Sequence, residues 1–217
     1  MIRLLRNISP AFRRAFIYGF TLRYEGVRGL DSSIELPTGS FLIALQFKKF
    51  KPEQTNILNR IWAFEINNND RRDQHLKLLI SAYLLGTNNV YYAFPLIDSS
   101  IIRRISPNFL NRTCFARIID FPSQTFNNKT HLVYIQEPCR CIRIRSEKGV
   151  IKLLSAEELL DRVRKGIIKP LPVEELSKKR INKEELEDFL RKKDVNEWII
   201  REFLSRNWRQ MLKGFFF

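Results

Sequence analysis

The chain has 217 residues, of which 44% are hydrophobic, and this composition excludes a disordered protein and one too small to form a core. No apolar run approaches the roughly 18–20 residues that a membrane-spanning helix needs. The basic N-terminal stretch contains Arg13 and Arg14 where a signal peptide would have its apolar centre. We therefore expect a cytoplasmic protein that is not part of a membrane.

The charge is strongly positive, with 38 Lys and Arg against 23 Asp and Glu and a net charge of +15. Residues 151–217 contain 16 basic and 12 acidic residues, which leaves 22 basic and 11 acidic residues in 1–150. The excess therefore lies mainly in the first part of the chain. Such a charge favours binding to nucleic-acid phosphates. An acidic protein partner or an anionic membrane surface would fit the charge as well, and we favour nucleic acid.

The first half of the chain alternates helical and extended patterns. In chain order, the predicted elements are a helix over 10–25, strands near 31–36, 41–48 and 60–66, a helix over 71–85 and a strand over 89–96. A turn at 37–40 joins the first two strands, and the continuous apolar run of 89–96 is typical of a buried parallel strand. This order predicts an α/β fold with a mixed sheet flanked by helices.

The second half begins with short strands between about 113 and 153, which we expect to extend the sheet. Three amphipathic helices follow. Ser155 and Glu158 have the spacing of a capping box before the first, and Asn182 and Glu185 repeat it before the second. We divide the chain into an α/β domain over 1–153 and a helical region over 154–217. These helices could pack on the main domain, form a small bundle or bind a partner.

Three cysteines, Cys114, Cys139 and Cys141, are too few and odd in number for a disulfide framework. With His131 they could make a zinc site, although the two-residue spacing of zinc knuckles is absent. We expect reduced cysteines in a small sheet, and a structural role for His131 at the start of a strand.

The predicted hairpin brings three polar side chains together. If Pro37 to Ser40 form the turn, Ser33 faces Ala44 and Asp31 faces Gln46, about 5 Å apart at Cβ. Because alternate residues share a face of a sheet, Lys48 lies on the same face. A carboxylate, an amide and an ammonium thus gather where the second strand ends.

This combination suits phosphodiester hydrolysis. Asp31 and Gln46 offer the oxygen ligands that Mg²⁺ prefers, and a bound metal polarises a phosphoryl oxygen and activates water. Lys48 could orient that water or stabilise charge on the phosphate. The alternative is a partly buried ion pair of Asp31 and Lys48, with Gln46 as a hydrogen-bond partner.

The ordered motifs of the chain resemble the PD-(D/E)XK nuclease superfamily, and prokaryotic proteins of that kind in particular. The matching segments are Gly29-Leu30-Asp31, Gln46-Phe47-Lys48, Gln74-His75 and Val90-Tyr91-Tyr92-Ala93. The resemblance covers roughly residues 10–135 and leaves 151–217 outside. It implies a restriction-endonuclease-like mixed sheet flanked by helices, with a helical C-terminal extension.

The resemblance also implies an activity, the metal-dependent hydrolysis of phosphodiester bonds in DNA, with RNA as an alternative. Asp31 and Gln46 would bind Mg²⁺ or Mn²⁺, and Lys48 would be catalytic. Glu25, at the end of the first helix, or Glu65, on the third strand, would complete the site. The superfamily usually has Glu at the position of Gln46, and an amide is a weaker metal ligand than a carboxylate.

Several residues near these motifs are candidates for contacts with nucleic acid: Gln74, His75, Arg71, Arg72, Lys49 and Lys51. His75 could carry protons, since the ordinary pKa of histidine is near 6.5, or Gln74 and His75 could simply bond to the preceding loop. Tyr91 and Tyr92 could stack on bases, although on a buried strand at least one should be in the core.

Two other functions stay open at this point. The chain could be a non-catalytic member of the fold that binds nucleic acid or a partner, or a structural protein that coats nucleic acid. A third acid pointing at the cluster would separate catalysis from binding. We also expect a homodimer or a protein partner to bind through the C-terminal helices.

Overall fold

In the residues that the computed structural model describes, two β-sheets and four helices of nine residues or more form a mixed α/β fold. The structure describes residues 16–19, 32–36, 40–56, 59–66, 74–97, 109–121, 131–144, 151–172, 174–175 and 181–214. In these ranges, none of the helices combines the length and the apolar composition needed to cross a membrane.

The main sheet has the strand order β1-β2-β3-β5-β6, with the short β9 also paired to β3. Its strands are β1 Phe16–Gly19, β2 Ser32–Leu36, β3 Ser40–Phe47, β5 Val90–Pro95, β6 Thr113–Arg117 and β9 Leu171–Pro172. β3 and β5 are parallel and the other pairs are antiparallel. The second sheet contains β4 Ile61–Ile66, β7 His131–Gln136 and β8 Arg140–Ile144 in the order β4-β7-β8.

The helices are α1 Gln74–Leu85, α2 Ala156–Arg164, α3 Lys183–Arg191 and α4 Glu197–Gly214. The predictions for β2, β3, β5 and α1 are confirmed to within a few residues at the described ends. The three C-terminal helices are also confirmed.

The predicted first helix is wrong where the structure describes it. Phe16–Gly19 form a strand that pairs antiparallel with β2, from Phe16↔Glu35 to Gly19↔Ser32. Aromatic and β-branched residues favour strands, and pairing at the edge of β2 satisfies backbone groups that a short helical segment would have satisfied internally. The rest of the predicted helix lies outside the described residues.

The third predicted strand exists, but it is not part of the main sheet. β4 pairs with β7 along its whole length, from Ile61↔Gln136 to Ile66↔His131. The physical reason is that β3 has no edge to offer, because β2 lies on one side and β5 and β9 share the other. Likewise, among the described strands of the region 113–153, β6 extends the main sheet as predicted, whereas β7 and β8 belong to the second sheet.

Each face of the main sheet is covered by a different helix. Alternate residues of β3 and β5, such as Ala44 and Tyr92, pack with α1 in one core. Their neighbours, such as Leu45 and Tyr91, pack with α2 in the other. This period of two is the ordinary alternation of a strand buried on both sides.

The C-terminal helices pack on the main body. Leu186 and Leu190 of α3 and Ile200 of α4 share a core with α1, and the hydroxyl of Tyr83 on α1 donates to Glu185 at 3.0 Å. Among the three arrangements left open above, the structure therefore has packing on the main domain.

The predicted capping boxes had different outcomes. Ser155 and Glu158 form the box, with bonds of 3.2 Å and 2.7 Å in its two directions. Asn182 caps α3, but its side chain accepts from the backbone of Glu184 at 3.0 Å. The predicted box with Glu185 is wrong, because the Glu185 carboxylate accepts from the side-chain amide of Asn182 at 3.4 Å and from the Tyr83 hydroxyl of α1.

A disulfide joins the two sheets. Cys114 lies on β6 of the main sheet and Cys139 in the turn between β7 and β8, with their sulfurs 2.09 Å apart. Cys141 is buried and keeps a reduced thiol. The expectation of three reduced cysteines is therefore wrong, and the alternative zinc site loses two of its thiolates. Sequence spacing could not reveal the pair, because it depends on how the two sheets pack.

Candidate functional site

The hairpin of β2 and β3 has the pairing that the site requires, but reaches it differently from the prediction. The predicted turn paired Leu36 with Phe41, whereas Leu36 pairs with Ser40. A β-bulge takes up the one-residue difference, so that the predicted pair of Ser33 and Ala44 is present. The predicted register is therefore wrong near the turn and confirmed farther from it, at Ser33 and Ala44.

Polar side chains gather where the parallel strands β3 and β5 approach their carboxyl ends. Gln46 pairs with Tyr92 in the register of the two strands, and Lys48 follows β3. α1 begins at the same edge, with Gln74 and His75 as its first residues. We call Gln46, Lys48, Gln74, His75 and Tyr92 the Lys48 cluster.

Lys48 is buried, with 9% of its surface exposed, and its ammonium is tightly held. Nζ donates a hydrogen bond to Oε1 of Gln74. The same nitrogen lies 5.2 Å from the centre of the Tyr92 ring, within the range of a cation–π interaction. The neighbouring Gln46 is also buried, and its Nε2 donates to the carbonyl of Phe47 at 3.2 Å.

His75 extends the cluster into the interior. Its Nδ1 lies 3.1 Å from the hydroxyl of Tyr92, and the two rings stack with centres 5.9 Å apart. Burial lowers the pKa of His75 to about 3, helped by the positive charges of Lys48 and of His131. Burial also raises the pKa of Tyr92 well above its usual value. His75 is therefore neutral near pH 7, and a role as a proton carrier at that pH has no support in this environment.

Both tyrosines of the Val-Tyr-Tyr-Ala strand are fully buried. The expectation that at least one belongs to the core is confirmed, and neither ring is exposed for stacking on a base. The contact between Tyr92 and Lys48 was missed at the sequence level. The signal for it was the alternation along β5, which puts Tyr92 and Tyr91 on opposite faces, but using it required knowing that β5 lies beside β3.

Glu65 is not brought to the Lys48 cluster by any described contact. Its carboxylate pairs with Nζ of Lys51 at 2.5 Å, and this bond raises the pKa of Lys51. Phe64 and Ile66 face the core that contains α1, so the alternation of β4 turns Glu65 the other way. Lys49 is exposed beside the cluster.

Four residues predicted for the site lie outside the described residues: Asp31, Glu25, Arg71 and Arg72. Their predicted roles stay predictions. Gln46, Lys48, Gln74 and His75, by contrast, are described, and Lys48 bonds to Gln74; their roles in the site also stay predictions.

The described residues do not by themselves make a metal site. Within the described ranges, no three His, Cys, Asp or Glu side chains lie close enough to share an ion. In the Lys48 cluster the candidate ligand is the amide oxygen of Gln46, a hard oxygen donor that suits Mg²⁺. Such a site would need the predicted carboxylate of Asp31 beside it.

No family model, curated protein or solved structure matches the chain.

Proposed function

We propose that the chain is a metal-dependent nuclease with a restriction-endonuclease-like core, acting on DNA or RNA. The observation that carries the proposal is the buried Lys48, held by Gln74 at the edge where β3 ends and α1 begins. A buried ammonium is costly unless it is well bonded. Its position two residues after Gln46, on the same face, is the arrangement that phosphodiester chemistry would use.

In this proposal each residue has a distinct task. Lys48 stabilises negative charge on the phosphate or orients the attacking water. Gln46 and Asp31 hold Mg²⁺ or Mn²⁺, which when bound polarises a phosphoryl oxygen and activates water. The observed pair Ser33↔Ala44 supports this role for Asp31, because the predicted placement opposite Gln46 depends on that register. The net charge of +15 would attract the polyanionic substrate.

The test measures cleavage of linear, circular and branched DNA and of RNA, with Mg²⁺ or Mn²⁺. We expect Lys48→Met and Asp31→Asn to slow cleavage by roughly 100-fold or more, and EDTA to stop it. Lys152→Ala is the matched control, because it removes an exposed lysine elsewhere in the chain and should leave the rate unchanged. Equal cleavage by wild type, Lys48→Met and Asp31→Asn would contradict the assignment.

A second function is a non-catalytic one, in which the chain binds nucleic acid without cutting it. The observation in its favour is the Glu65–Lys51 pair, because it engages one of the two candidates for the third acid. Absence of cleavage, combined with binding whose affinity falls steeply with salt concentration, would favour this function. A protein partner or a second copy bound through the C-terminal helices fits either function.

The cytoplasm is the location that goes with both functions, since nucleic acids are found there. The disulfide between Cys114 and Cys139 counts against an ordinary reducing cytoplasm. Intracellular proteins of hyperthermophiles are the exception, because they are rich in disulfides. Titration of the thiols in protein that is denatured as the cells are lysed would measure the fraction of chains in which the disulfide is formed.

A further inference from the structure

Tyr92 lies between Lys48 and His75 in the Lys48 cluster. Its ring lies under the ammonium of Lys48, 5.2 Å from Nζ, and its hydroxyl lies 3.1 Å from Nδ1 of His75. The side chain is fully buried in the core beneath the sheet. Tyr92 therefore contacts both Lys48 and His75.

We propose that Tyr92 is a positioning residue for Lys48. Its ring face holds the ammonium beside Gln74, and the bond between its hydroxyl and His75 fixes the orientation of the ring. The catalytic part of this inference rests on the proposed nuclease function, whereas the positioning part does not.

The physical argument begins with the lysine itself. Its ammonium is a point charge on a flexible four-carbon stem, so each attraction from a different direction restricts the positions that the nitrogen can take. The Tyr92 ring approaches Nζ in addition to the hydrogen bond with Gln74. The negative face of an aromatic ring supplies such an attraction, about 2 kcal/mol when the cation is desolvated, and Lys48 is desolvated by its burial.

The orientation of the ring matters because only its face attracts a cation. The stacked His75 ring is tilted by 17° from the Tyr92 ring, and Phe121 meets Tyr92 edge to face with centres 5.1 Å apart. The His75–Tyr92 bond adds a polar constraint to this packing. Since His75 stays neutral near pH 7, the bond persists across the physiological range. His75 then acts on Lys48 through Tyr92.

Three variants separate the ring from the hydroxyl and from general packing. Tyr92→Phe keeps the ring and removes the bond to His75, while Tyr92→Leu removes both. Tyr91→Leu is the matched control, because Tyr91 is equally buried on the same strand but packs in the opposite core. It should destabilise the protein to a similar degree without touching Lys48.

The decisive measurement is the NMR shift of the ε-methylene protons of Lys48, identified by their absence from Lys48→Arg. Protons above a ring face are shielded, so we expect these signals upfield of those of the exposed Lys152. The upfield shift should persist in Tyr92→Phe and Tyr91→Leu and disappear in Tyr92→Leu. The ¹⁵N shift of His75 Nδ1 should change in Tyr92→Phe.

A Lys48 signal at the position of Lys152 in the wild type would overturn the inference, even if Tyr92→Leu fails to fold. An unchanged Lys48 signal in folded Tyr92→Leu, or an unchanged His75 signal in Tyr92→Phe, would overturn it as well.

Kinetics keep this inference apart from the proposed function. If the wild type cleaves nucleic acid, Tyr92→Leu should lower kcat by roughly tenfold to 100-fold with little change in KM, as expected for a misplaced catalytic group. If the wild type cleaves nothing, the nuclease proposal fails, and the NMR shifts still decide whether Tyr92 positions Lys48.

Discussion

The contact between Lys48 and Gln74 predicts an asymmetric response to mutation. Gln74→Leu removes an acceptor from a buried ammonium. A hydrogen bond to a charged group contributes about 1.5–3 kcal/mol, and a buried charge that loses an acceptor costs more than a neutral group does. We therefore expect Gln74→Leu to lower the free energy of unfolding by about 3 kcal/mol.

Lys48→Met removes the charge together with the bond. Methionine replaces most of the apolar stem, and the desolvation cost of the ammonium disappears. That gain offsets the lost attraction of the Tyr92 ring, about 2 kcal/mol, and the remaining cost is the amide oxygen of Gln74, which loses this donor, about 1–2 kcal/mol. The double variant, Lys48→Met with Gln74→Leu, removes both polar groups. Its loss in free energy of unfolding should therefore be about 3 kcal/mol smaller than the sum of the losses in the two single variants.

Urea unfolding of the wild type, the two single variants and the double variant measures these free energies. The m-value should stay constant, because none of the changes alters the surface exposed on unfolding to a great extent. Single changes that add to within about 0.5 kcal/mol would refute the reasoning, as would a greater loss in Lys48→Met than in Gln74→Leu.

Three further predictions follow from other contacts. Reduction of the Cys114–Cys139 disulfide should lower the free energy of unfolding by about 3.5 kcal/mol, according to the chain-entropy relation for a separation of 25 residues. Calorimetry with and without reductant measures this loss, and an unchanged Tm would contradict the prediction. Burial lowers the pKa of His75 to about 3 in the folded protein, so on acidification His75 takes up a proton in the unfolded chain before it does so in the folded one. The free energy of unfolding should therefore fall as the pH drops from about 6.5 towards 3. At pH 5 this loss is about 2 kcal/mol, and it should be absent from urea unfolding of His75→Gln. Glu65→Gln should change the free energy of unfolding by under about 1 kcal/mol, because the pair with Lys51 is partly exposed. The variant should cleave nucleic acid at the wild-type rate, and a large loss of rate would place Glu65 in the site.

Local signals in the sequence predicted the parts of the fold that depend on neighbouring residues. The capping pair of Ser155 and Glu158 starts α2 as expected, because both partners lie within one turn. The apolar run of β5 indicated a strand buried on both faces, and Tyr91 and Tyr92 are indeed fully buried. The outer register of the β2–β3 hairpin was also predictable, since the strand period of two fixes which residues share a face.

The errors arise where distant parts of the chain compete. The segment Phe16–Gly19 has apolar residues that fit either a helix or a strand, and the edge of β2 decides for the strand. β4 joins β7 because both edges of β3 are occupied. The site shows the same division: Gln46 and Lys48 follow from one hairpin, whereas the contact of Lys48 with Tyr92 depends on a parallel pairing across an intervening strand and helix.

Gln46 offers the most direct test of the proposed nuclease, because the PD-(D/E)XK superfamily usually has Glu at that position. The measurement is the Mg²⁺ concentration that gives half-maximal cleavage, in the wild type, Gln46→Glu and Gln46→Leu. A carboxylate binds Mg²⁺ more strongly than an amide, so we predict a lower concentration for Gln46→Glu and loss of cleavage in Gln46→Leu. Identical Mg²⁺ dependence in all three proteins, or no cleavage by any of them, would contradict the proposal.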